Sequence, residues 1–266
     1  MTPKLLSKKS THLFLLLLLI GSSTSVANRP DYSTGRRESD MMTRSYLISL
    51  GLKEDANDSE IVRLLDDPNK AISVAGLISH KKIYSAIPKL LEIVNKPNNN
   101  KKNDILKISA AETLRDLGNT EWVPQMKRLA SDPNTSPLFV THRIEAAGLL
   151  ASVGDYSQFE LVVKHVNDSK EYERLTAIRQ LANFGHKSNP VTDKAVELLK
   201  NAAISDSVPR LRGYAVESLE KIVAKKPSIT PKLLEALEAN KDSQDKDLRT
   251  LCAEKLKKYG TKKKEN

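Results

Sequence analysis

The chain has 266 residues, 5% of them aromatic, ten glycines and a formal net charge of +10. So few aromatic residues and glycines argue against an all-β sandwich or barrel and suit packed helices. The positive excess lies at the ends, in Lys4, Lys8, Lys9, Arg29, Arg36, Arg37 and Lys262–Lys264, so the body between them is close to neutral and offers a polyanion little net attraction.

Residues 1–27 have the three parts of a secretory signal peptide: Lys4, Lys8 and Lys9, then the apolar run Leu13–Ile20, then small residues at Ser25 and Ala27. The apolar run is far shorter than the ~20 residues that span a bilayer, so export with cleavage after Ala27 is expected, to the periplasm or outside the cell. No membrane span is expected in the mature chain. Residues 28–57 read as a polar leader, followed by a short helix within Glu38–Leu50 that stops at Gly51. Asp58 or Ser59 is expected to cap the next helix, a half unit that covers the first interface of an array.

From there one frame recurs, Arg-x-x-Ala-x-x-x-Leu-x-x-x-Gly. It stands as Arg143, Ala146, Leu150 and Gly154, and as Arg174, Ala177, Leu181 and Gly185. Lys107, Ala110, Leu114 and Gly118 fit it, as do Arg212, Ala215, Leu219 with Val223, and Arg249, Cys252, Leu256 and Gly260. A worn copy holds Ala71, Val74 and Ile78. The full copies start 36, 31, 38 and 37 residues apart, the period of stacked helix pairs. Ala and Leu four apart make a stripe on one helix face, and Gly supplies a left-handed stop. The second helices are expected over approximately 83–95, 121–130, 157–166, 191–203 and 230–239, with Pro88, Pro124 and Pro231 in their first turns. Cys252 takes the small-residue slot, as a buried apolar group.

The pair resembles a HEAT repeat, in particular the short HEAT-like repeats of phycobilisome lyases. That family carries an Asp six residues before the frame Arg, and the two ladder between repeats. Asp168 with Arg174 and Asp206 with Arg212 keep this spacing. Asp132 and Arg143 do not, because 134–138 add five residues. The resemblance implies an all-α fold, an α-α superhelix: a right-handed solenoid of about five helix pairs over 58–260, with capping helices and a basic tail at 261–266.

No motif for catalysis appears. The histidines after the signal, His80, His142, His165 and His186, share no i, i+4 spacing and read as scattered surface residues. The His-Glu pairs by which the HEAT-like deoxyhypusine hydroxylases bind iron are missing, since Lys81, Arg143, Val166 and Lys187 follow them. No cofactor and no metal are expected. The second helices are expected to line a concave face that binds a protein or peptide, through Tyr84, Lys89, Trp122, Arg128, Tyr156, Lys164 and Lys200. Nucleic acid is not expected there, because Glu92, Glu160, Glu197 and Glu235 interrupt the same helices. The expectation is an exported, non-catalytic scaffold; the alternative is an accessory or lyase-like enzyme subunit acting on a bound partner.

Overall fold

The computed structural model describes residues 43–97, 102–132, 139–185 and 190–260. The expected signal peptide, leader and basic tail lie outside them. Every regular element among the described residues is helical: α1 (43–49), α2 (Asp58–Arg63), α3 (Ala71–Lys81), α4 (Ile87–Asn95), α5 (Lys102–Asp116), α6 (Val123–Ser131), α7 (Val140–Ser152), α8 (Phe159–His165), α9 (Glu171–Phe184), α10 (Thr192–Ser205), α11 (Pro209–Val223), α12 (Thr230–Asn240) and α13 (Lys246–Gly260). Short 3₁₀ turns precede α4 and α12. No described helix is long and apolar enough to cross a membrane.

The chain forms two compact units, one of Met1–Ile93 with Thr113–Asn119 and the other of Val94–Glu112 with Thr120–Asn266. In the smaller unit α2 is capped by Asn57, one residue earlier than expected, because Glu60 reaches back to the Asn57 amide while the Asn57 side chain accepts from the Glu60 amide. Tyr46 donates to the Ser73 carbonyl at 2.8 Å and Lys70 to that of Leu50 at 2.8 Å, which fastens α1 to the start of α3.

The stop at the end of the frame is a Schellman turn. The amide after the cap donates to the carbonyl of the frame's Leu position in all three of the first copies: Ile83 to Ile78, Asn119 to Leu114, Asp155 to Leu150. The cap residues are Lys82, Gly118 and Gly154, all at positive φ. Lys82 adopts a conformation that favours glycine, and its ammonium reaches the Asp116 carbonyl at 2.8 Å.

The larger unit has the stacked helix pairs of the α-α superhelix class. The frame helices α7, α9, α11 and α13 pack in succession, as do α10 and α12, and each frame helix packs on the second helix beside it. Ala110, Ala146, Ala177, Ala215 and Cys252 are fully buried, with Leu150, Leu181 and Leu219 above Ala146, Ala177 and Ala215. Burial holds the Cys252 thiol pKa up, in keeping with an inert small apolar group.

The ladder is present. The Arg174 guanidinium donates to both oxygens of Asp206 in the next repeat, at 3.0 and 3.3 Å, and to the Asp168 carbonyl at 2.8 Å. Arg212 makes the matching bond to the Asp206 carbonyl, but its forward partner is Asn240 Oδ1 at 3.0 Å. Arg249 again donates six residues back, to Ser243. Arg143, displaced by the insertion, donates instead to the Ala130 carbonyl at 2.9 Å.

Gly185 does not serve as a left-handed stop; its φ is −90°. It is glycine for space, since a Cβ there would lie 2.3 Å from Ile222 Cδ1 and 2.8 Å from its Cγ1. Gly185→Ala is therefore expected to cost about 1–3 kcal/mol by overpacking, and Ile222→Ala about 2–5 kcal/mol by leaving a cavity. The double variant should lose clearly less than the two combined, a coupling that denaturant titration of all four proteins measures.

Candidate functional site

Several charges of the second helices are paired, largely across repeats. Lys194 pairs with Glu160 at 2.9 Å, Lys232 with Glu197, and Lys200 with Glu197 at 2.9 Å and Glu235 at 3.3 Å. Lys127 pairs with Asp155 at 2.8 Å. In the smaller unit Lys89 is held by Asp66 at 2.6 Å and Glu92 at 3.0 Å. Trp122 drops out as a contact residue, because its ring is fully buried at the start of α6. Tyr156 is half-buried with its ring 6.2 Å from that of Phe184. Tyr84, Arg128 and Lys164 are exposed. The expected contact residues thus do not form one free surface: one is core, and two are locked in ion pairs.

The frame helices differ. Their third, sixth and tenth positions share one face, three and four residues apart. In the larger unit that face holds Glu112, Glu145, Arg179, Tyr214, Glu217 and Lys221, with Tyr172 one turn before. Lys221 and Tyr172 are exposed, and Glu145 keeps contact with water. Yet desolvation is the largest influence on all three, so protein surrounds them although water reaches them. Desolvation, helped by neighbouring Glu112 and opposed by Arg179, pushes the Glu145 carboxyl up to about 7. Desolvation and the charge of Arg179 pull the Lys221 ammonium down, against Glu217.

Among the described residues, Glu145, Arg179, Glu217 and Lys221 make no side-chain hydrogen bond and no ion pair within 4.0 Å. Arg179 lies over the Tyr214 ring, 6.0 Å from its centroid. Unpaired charges thus occur, among the described residues, on the open face of the frame helices as well as at Arg128 and Lys164 of the second helices. Sequence periodicity marks the buried stripe of each helix, but the crowding of its open face depends on neighbouring repeats.

The histidines also need correction. His80 is exposed, but His142 and His165 are buried, and His186 lies outside the described residues. Burial pulls the His142 pKa down despite Asp104, whose Oδ2 is 3.9 Å from Nδ1; that nitrogen has no hydrogen-bond partner. His165 Nδ1 lies 3.1 Å from both Asp168 Oδ2 and Glu173 Oε2. These three residues form the set among the described ones able to hold a metal ion, with ligand atoms within 4.8 Å of one another. The Lys170 amide holds the other oxygen of Asp168 at 2.9 Å, and the Lys170 ammonium holds that of Glu173 at 2.7 Å. The backbone bond at the start of α9 holds the Asp168 carboxyl below its ordinary pKa. The cluster ties the end of α8 to the start of α9 and contains no nucleophile. Its His-x-x-Asp-x-x-x-x-Glu spacing spans a turn, so helix periodicity does not reveal it.

Residues 159–257 match the family model of HEAT repeats. That segment is a HEAT-repeat array. An engineered protein aligns at 17% identity and a TM-score of 0.47, over 77% of this chain and 98% of its own. A computationally designed armadillo repeat protein for modular peptide recognition aligns at 17% and 0.41, over 74% and 98%. Human deoxyhypusine hydroxylase aligns at 17% and 0.37, over 95% and 99%. No curated protein matches the chain.

The raised pKa of Glu145 makes stability depend on pH. Below about 4.5 its carboxyl is neutral whether the chain is folded or not, and nothing is lost. As pH rises towards 7 and beyond, the unfolded chain ionises first and the folded state is penalised. Glu145→Gln should therefore raise the melting temperature more at pH 8 than at pH 4.5, as thermal melts of both proteins at the two pH values would show.

Proposed function

We propose that this chain is an exported, non-catalytic HEAT-repeat scaffold that binds a protein or peptide on the open face of α7, α9 and α11. One observation carries the reading: Glu145 and Lys221 are desolvated by the protein yet open to water, and with Arg179 they make no ion pair within 4.0 Å among the described residues, whereas Lys89, Lys194, Lys200 and Lys232 near the second helices are ion-paired. A folded chain gains nothing from holding unpaired charges where they are poorly hydrated, so they await groups from outside. Both signs occur on this face, which suits a polypeptide and repels a polyanion at Glu145 and Glu217. The expected signal peptide supports export.

Affinity capture from the exported fraction tests the site. Wild type and Lys164→Glu, whose change lies on a second helix, should retain the same polypeptide, and Arg179→Glu with Lys221→Glu should lose it while staying folded. Equal capture by all three would remove the frame-helix face from consideration. Export is checked separately by N-terminal sequencing of the native protein, which should begin at Asn28.

A further inference from the structure

Resting on that reading, we infer that the occupant of this face is an extended polypeptide segment crossing α7, α9 and α11 in turn, with a basic side chain over Glu145 and acidic ones over Arg179 and Lys221. The order of charges comes from the order of helices. Glu145 stands on α7 beside the acidic Glu112 of α5; Arg179 on α9 and Lys221 on α11 follow, near enough for each to feel the other's charge. The face therefore runs from negative to positive along the array, with Glu217 beside Lys221 as the one acidic group at the positive end.

Spacing sets the occupant's pattern. Packed helix axes lie about 8–10 Å apart, and an extended chain rises about 3.3 Å per residue. About three residues of peptide thus span each helix-to-helix step, giving the pattern basic-x-x-acidic-x-x-acidic. Tyr172, 62% exposed, and Tyr214 under Arg179 provide aromatic surface along this line. Ile105, exposed on α5 in the register that Tyr172 holds on α9, adds apolar surface at the acidic end.

Binding also moves a proton. A cation over Glu145 favours its carboxylate, against the repulsion of Glu112 and alongside Arg179; Tyr172 is the remaining titratable neighbour. Affinity should consequently rise from pH 5.5 to pH 8 and lose that rise in Glu145→Gln.

The probes are two end-blocked, fluorescein-labelled heptapeptides of equal composition, Lys-Ser-Ser-Glu-Ser-Ser-Glu and Glu-Ser-Ser-Lys-Ser-Ser-Glu, measured by fluorescence polarisation with the full chain at low ionic strength. The first should bind at least ten-fold more tightly. Arg179→Glu should remove that preference and instead favour Lys-Ser-Ser-Lys-Ser-Ser-Glu, a reversal that misfolding cannot produce. Equal binding of the first two peptides, or binding of neither, overturns the charge pattern. If cellular capture still depends on Arg179 and Lys221, the face stands and only the occupant is wrong; if capture is independent of them too, both inferences fall.

Discussion

One small residue per repeat sets the distance at which everything else in the larger unit operates. Ala110, Ala146, Ala177, Ala215 and Cys252 are sealed from water, and the absence of bulk there lets each frame helix settle close to its neighbours. Leu150, Leu181 and Leu219 fill the layer above. Leu256, in the same position of α13, is only half-buried. Close approach also explains Gly148 and Gly185, where side chains of the next frame helix, Gln180 and Ile222, occupy the space a Cβ would need.

On this packed base the ladder arginines fix register. Each guanidinium grips the carbonyl six residues behind it, which shapes its own turn, and Arg174 and Arg212 also reach forward to the following repeat. Two directions of bonding from one planar group make local and inter-repeat geometry interdependent. The terminal helix is fastened differently: Glu220 of α11 accepts from Lys255, Lys258 and Tyr259 of α13. Charge on the second helices forms a third layer of links, exposed and individually weak.

Much of this was legible from residue order. The Ala and Leu stripe, the positions of the second helices, the prolines in their first turns and the Asp168 and Asp206 ladder residues all follow from local rules that a sequence states directly. Gly118 and Gly154 follow too. Gly185 did not, because its requirement comes from Ile222, 37 residues away. Asn240 was silent for a similar reason: it stands outside the motif's Asp position, and only contact with Arg212 discloses its role. The open face escaped notice because a Glu or Lys on an exposed helix position looks the same whether solvent or a neighbouring repeat surrounds it. Trp122 misled in the opposite sense, since a lone Trp fits a binding surface and a core equally well until its burial is known.

Asn240 has a consequence for how successive repeats are joined. Its amide nitrogen donates to the carbonyls of Ala203 and Ala236 at 2.8 Å each, while its oxygen receives Arg212. A carboxylate in that place would meet those two carbonyls with like polarity, so a neutral side chain is what permits one residue to join three segments. The junction between Arg174 and Asp206, by contrast, is a charge pair. Successive joints of the same solenoid therefore differ in chemical temperament: one closes two opposite charges on each other, while at the next a guanidinium meets a neutral amide.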